Sequence, residues 1–142
     1  HDPEEEHDCF SDNTHNSHYY NVVGINNVFL GKYKSLDGKV VSGPSISSLL
    51  SEVDNGLNKK TKKSIKNTLK SMKKIVKSAN KGVTYDMLIA EGNEKGNQLI
   101  QNAVDSLIKQ SKNIELAAAA LNINDLQIEG SDSLDNPDAV FN

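Results

Sequence analysis

Four histidines and one cysteine are the side chains of this chain best suited to bind a transition metal or move a proton at neutral pH. All five lie within the first eighteen residues. They are His1, His7, Cys9, His15 and His18, set among the acids Asp2, Glu4, Glu5, Glu6, Asp8 and Asp12. On a helix starting near Asp12, that residue, His15 and His18 or Tyr19 would share one side at i, i+3 and i+6 or i+7. His15 and His18 could then hold one metal, with His7, Cys9 and the Glu4–Glu6 run folded back over the helix end. The same helix start would favour an anion, because its free N–H groups carry positive partial charge. The bland reading is a solvated acidic lead-in with incidental histidines. No familiar motif is complete here. Zinc peptidases place a Glu directly beside the first of two His four apart, and a single Cys makes a poor structural zinc site. Cys9 beside a His could be a nucleophile pair, its pKa lowered by a helix start and raised by the neighbouring acids. The inert alternative is a small, partly buried residue.

The elements that must position these residues read as helices. The chain has 142 residues, 36% hydrophobic and 5% aromatic, with no Trp, so its core is built from Leu, Ile, Val and Ala. Ser11, Asp12 or Asn13 can cap a first helix over about 12–33, whose apolar positions include Tyr19, Val22, Val23, Phe29 and Leu30. Gly24 and Gly31, seven apart, suggest that another backbone comes close. Residues 34–45 read as a loop, with turn signals at Asp37-Gly38 and Gly43-Pro44. Pro44 or Ser45 starts a second helix with the stripe Ile46, Leu49, Leu50, Val53, Leu57, continuing through Thr61, Ile65, Leu69, Met72 and Val76 to about 79. It runs unbroken or breaks near Asn55-Gly56, and Asn80 and Gly82 stop it. Thr84 caps a short helix to Glu91, and a last helix spans about 93–121. No strand pattern of useful length is visible. The expectation is one all-α domain over 1–142, an up-and-down bundle of the four-helix type. Residues 1–11 form an acidic lead-in. Residues 122–142 form an acidic tail, in which Ile123, Leu126 and Ile128 could dock and the final ten residues would not.

Charge is unevenly distributed. The net charge is −3, yet residues 59–81 carry ten Lys and no acid, and there is no Arg. Lys59, Lys62, Lys63, Lys66, Lys70, Lys73, Lys74 and Lys77 fill the arc left by the apolar stripe, as the solvated back of an amphipathic helix would. Without Arg or interleaved aromatics, nucleic acid is not the expected partner. An anionic membrane surface or glycan is the alternative to a merely wet face. No apolar run approaches the ~20 residues needed to span a bilayer.

The string Glu6-His7-Asp8-Cys9-Phe10-Ser11-Asp12-Asn13-Thr14-His15, followed by Gly24-Ile25-Asn26-Asn27-Val28-Phe29-Leu30-Gly31-Lys32-Tyr33, resembles the imelysin-like proteins, and among them the branch called iron-regulated protein A. The match is close over about residues 4–33. The resemblance implies an exported bacterial protein, periplasmic or anchored at the outer membrane and often a lipoprotein, associated with iron uptake. It implies two similar helical-bundle domains with a functional cleft between them. This chain lacks the family's Gly-x-His-x-x-Glu motif, which belongs to the first domain, so the resemblance points to a C-terminal half whose partner is the N-terminal domain. Cys9, Ser11, Asp12, Asn13, Thr14 and His15 would line the cleft. Asp12 and His15, then Glu6 and His7, are the expected ligands of iron or zinc, or of an iron chelate or iron-uptake partner. The family was first classed as metallopeptidases, so a peptidase fragment is the alternative. With no complete catalytic motif in this chain, the expectation leans away from an enzyme.

Overall fold

The structure is a computed structural model that describes residues 6–123. After a single 3-10 turn at Cys9–Ser11, the described elements are α1 (Thr14–Leu30), β1 (Lys32–Lys34), β2 (Val40–Ser42), α2 (Ile46–Val53), α3 (Asn55–Ala79), α4 (Tyr85–Ile89) and α5 (Glu94–Ala120). The architecture is an all-α bundle with one small hairpin. The tail positions Leu126 and Ile128, expected to dock, lie outside the described residues.

Helix α3 is the spine. It packs along α5, and α1 and α2 lie against it as well. Its start is fixed by Asp54, whose Oδ1 accepts the Leu57 N–H at 2.8 Å and whose extended backbone ends α2. The apolar stripe therefore divides into two helices at Asp54. Ser45 opens α2 with a capping box: its hydroxyl accepts from Ser48 N–H, and the Ser48 hydroxyl accepts from Ser45 N–H.

The core has two parts. Val22, Met72, Ile75, Leu88, Ile89, Ile100 and Ala103 form one; Phe29, Leu50, Ile65 and Ala117 form the other, and half-buried Leu69 touches both. Two apolar stripes are wider than the faces their neighbours cover. Leu50 is fully buried, but Ile46, Leu49 and Val53 on α2, and Val104, Ile108 and Leu116 on α5, are exposed.

Helix α1 does not reach residue 33. It stops at Leu30 because Gly31 turns into the left-handed region at φ 59° and caps the helix end with its N–H. Residues 32–33, expected to end the helix, join the stretch expected to be a loop in an antiparallel hairpin instead, pairing Lys32 with Ser42, Tyr33 with Val41 and Lys34 with Val40. Both strands are exposed, so neither has the buried face that makes a strand visible as alternation.

Gly24 within α1 and Gly31 at its cap part ways. At Gly31 a Cβ would lie 2.6 Å from the Pro44 carbonyl oxygen and 2.8 Å from that of Gly43, both backbone atoms; at Gly24 nothing lies within 4 Å. Close approach is therefore a property of Gly31 alone. Gly31→Ala is expected to cost about 2 kcal/mol or more through strain and overlap. Gly24→Ala, in an open helix interior, is expected to stabilise by up to about 1 kcal/mol. Urea denaturation of the two variants checks both signs.

Candidate functional site

The site is organised by Thr14, the first residue of α1, which is completely buried. Its Oγ1 accepts the backbone N–H of Asp8 at 2.9 Å, which ties the lead-in back across the helix start. The Asp8 carboxylate accepts a hydrogen bond from the Ser17 hydroxyl one turn further along. Between these anchors the chain makes the 3-10 turn and passes through Asp12 at φ 49°, ψ 37°, a conformation Asp tolerates better than most residues. Asn13 is the N-cap, yet its side chain caps no backbone N–H. Its Oδ1 accepts from Asn16 Nδ2 at 2.8 Å. The cap expected from Ser11, Asp12 or Asn13 is thus replaced by a longer clasp built from Asp8, Thr14 and Ser17.

This path separates the expected ligands. Asp12 precedes the helix, so the one-sided i, i+3 face with His15 is not formed. Asp12, Ser11, Asn13, Cys9 and His7 are exposed, whereas Glu6 and His15 are half-buried. Cys9 is exposed on the surface rather than partly buried. Among the described residues, no group of three or more His, Cys, Asp or Glu side chains is arranged to hold a metal ion.

Among the described residues three buried side-chain atoms lack a hydrogen-bond partner: Gln110 Oε1 on α5 and two atoms of this segment, Glu6 Oε2 and His15 Nδ1. Such groups are costly and need an explanation. Burial pushes the Glu6 carboxyl above its ordinary pKa, and the charges of Asp86 and Asp12 push the same way; a hydrogen bond with the Thr14 side chain and the charge of His15 oppose them. The node therefore has a surplus of acid that a positive or proton-donating group would relieve. The other ring nitrogen of His15 lies 3.2 Å from Asn16 Nδ2. If that amide nitrogen donates to Nε2, a ring proton sits on Nδ1, and an N–H and a carboxylate oxygen are each left unpaired. For Nδ1 to bind a metal, the Asn16 amide must turn so that its oxygen accepts from Nε2–H.

A second layer joins His7 and His18, both named from the sequence, to Tyr85, which sequence reasoning did not assign. His18 lies between His7 and Tyr85, with ring centroids 5.6 Å apart on each side and the rings tilted by 32° and 59°. Tyr85 comes from α4, more than sixty residues away in the chain, and brings Asp86 with it. Burial, with a smaller push from Glu6, raises the Tyr85 pKa. Beside this layer lies an open depression of about 470 Å³ lined by His7, Asn13, Asn16, Ser17, Tyr20 and Asn21. Of the eight candidates named from sequence, only His7 and Asn13 border it.

The imelysin family profile matches residues 1–114, four-fifths of the sequence and all of the clasp. The chain belongs to the imelysin family. No curated protein matches it. In this imelysin the matched region includes α1, α3 and α4, the elements that bring Glu6, His15, His18 and Tyr85 together.

The layer around His18 predicts a pH response. Burial, and then the charge of His7, hold the His18 pKa below its ordinary value of 6.5, with Asp8 pulling the other way. A depressed folded pKa gives stability that is complete above the unfolded value and is lost as pH falls through the folded one. Lowering the pH from about 7.5 to about 5.5 is therefore expected to destabilise the imelysin, and His18→Phe is expected to reduce that slope. Denaturant midpoints of the two proteins across this range provide the check.

Proposed function

We propose that this imelysin domain contributes one side of a ligand-binding cleft, taking a metal, iron before zinc, or a metal-linked ligand such as an iron chelate. The observation that carries this reading is the pair of buried, unpaired atoms Glu6 Oε2 and His15 Nδ1 at one acid-rich node. A cation there would satisfy the carboxylate, relieve its repulsion from Asp86 and Asp12, and accept an imidazole lone pair. Carboxylate with imidazole is a donor set that suits iron and zinc. Two donors make only part of a shell, and Asp12 or His7 would have to move inward to add a third. The remaining positions would come from the ligand or from the N-terminal imelysin domain, with this chain as the C-terminal half. Asn13 and Thr14 shape the site, Asn13 by holding Asn16 and Thr14 by holding Asp8. Cys9 and Ser11, exposed in the 3-10 turn, would stand on its rim. The metal would supply charge neutralisation and a point of attachment. The likeness of about residues 4–33 to the iron-regulated protein A branch supports a role in iron uptake in the bacterial periplasm or at the outer membrane.

The peptidase reading requires a general base and a polarising metal, with His and Glu from the other half. The raised pKa of Glu6 gives it one feature of a general base. Its test is cleavage of an unfolded substrate by the two-domain protein, with and without chelator; no chelator-sensitive cleavage removes it.

Titration of this chain with ferrous iron and with zinc, alone and mixed with the N-terminal domain, tests the binding reading. Micromolar or tighter binding is expected in the mixture, and weaker binding by the single chain. Glu6→Gln and His15→Ala are each expected to weaken binding by about tenfold or more. Equal and negligible binding in both samples would overturn the proposal.

A further inference from the structure

The outward face of α3 is a ridge of lysines. Lys59, Lys62, Lys63, Lys66, Lys70, Lys73, Lys74 and Lys77 are all exposed. At 100° per residue they fall within an arc of about 120°, along a straight ridge of about 27 Å. The opposite arc is the buried one, with Thr61, Ile65, Thr68, Met72 and Ile75. No acid interrupts the ridge, and among the described residues the one ion pair is Lys39 with Asp37 in the hairpin, away from α3.

A face that needs only to be wet does not require this pattern. Like charges four apart on a helix repel, by a few tenths of a kcal/mol per pair. The ridge contains five such pairs: 59 with 63, 62 with 66, 66 with 70, 70 with 74 and 73 with 77. Helix α5 shows the ordinary solution, since its outer positions mix Glu94, Asp105 and Glu115 with Lys95, Lys109 and Lys112. The α3 helix therefore carries self-repulsion that mixed charges would have turned into attraction. An anionic partner relieves it.

We propose that this ridge docks the protein electrostatically on an anionic lipid surface. Three features select a bilayer over other polyanions. Ammonium groups on flexible stems respond to a diffuse surface potential, whereas recognition of individual phosphodiesters favours the guanidinium fork, and the chain has no Arg. No aromatic residue interleaves with the lysines to stack bases. The ridge is convex, so a plane meets its lysines together, while a polymer strand finds no groove to follow. Clusters of four to eight Lys are sufficient for attachment to anionic lipid, each contributing about a fivefold gain near the surface.

Sedimentation of the chain with vesicles tests this. Binding is expected to vesicles containing about 30 mol% phosphatidylglycerol, to be absent with pure phosphatidylcholine, and to fall at least tenfold between about 50 and about 300 mM salt. Lys63→Glu, Lys70→Glu and Lys77→Glu together are expected to reduce binding at least 100-fold. The triple variant is also expected to melt at a higher temperature than the parent, because each new Glu pairs with lysines three and four positions away. Loss of binding then cannot be ascribed to misfolding. Equal capture by neutral vesicles, or undiminished capture of the triple variant, overturns the proposal. Retention on a sulfated polysaccharide with no vesicle binding overturns it in favour of a glycan.

Discussion

The close contact of α3 with α5 is the constraint on which the other elements depend. A chain with no Trp and few aromatics cannot fill wide gaps between helices, so its helices must approach closely. Small hydroxyl residues make this possible. Thr68 Oγ1 is shared between Ser64 of its own helix at 3.2 Å and the Ser106 carbonyl of α5 at 3.1 Å. Thr61 repeats the arrangement with Leu57 at 2.9 Å and Asn113 at 3.4 Å. Each buried hydroxyl is satisfied by a carbonyl, so its desolvation is offset. With this seam fixed, α1 lays Val22 on one half of the core and Phe29 on the other. The start of α1, and with it the site, inherits its position from the seam.

The lead-in is held in a different way. It buries little apolar surface; Phe10 is fully exposed. Its path rests on polar contacts from Asp8 to Thr14 and Ser17, two residues of a helix already fixed by the core. The result is a firm anchor that delivers Glu6 into an acidic neighbourhood. A segment selected only for stability would have placed an amide or an apolar group there. Leaving a carboxylate oxygen and an imidazole nitrogen buried and unpaired is a cost, and such costs concentrate where a ligand recovers them.

The helices were legible in the sequence because their signals are local and repeated. Ser45 sits at an expected helix start, and the 3.6-residue periodicity of α3 and α5 is long enough to read; Gly31, expected inside the first helix, is instead its stop, and the break expected near Asn55-Gly56 falls at Asp54. The hairpin was not legible, since both its strands face solvent and carry no alternation. Gly96 was missed for a related reason. A Cβ there would lie 2.4 Å from the Leu88 carbonyl oxygen, a contact between α4 and α5 that no pattern within α5 announces. At the site, residue types were informative and spacing misled. Glu6, Thr14 and His15 could be named as candidates, but the assumed helix start at Asp12 gave a metal face that the left-handed turn abolishes. Tyr85 and Asp86 could not be placed, because only the packing of α4 brings them to α1.

The same geometry arranges the two charged surfaces. Helices α1 and α5 cover the buried arc of α3, and the lysine ridge is the arc opposite. The acid-rich node stands at the start of α1, on a different helix from the ridge. Packed helices sit about 8–10 Å apart, so the two surfaces are separated by more than the roughly 8 Å screening length of physiological salt. Neither field cancels the other, although the summed charge of the chain is only −3. A protein resting on an anionic plane through α3 would meet that plane with the ridge and not with α1. The node, and the depression beside it, would stay open to a ligand or to a second domain while the ridge is occupied.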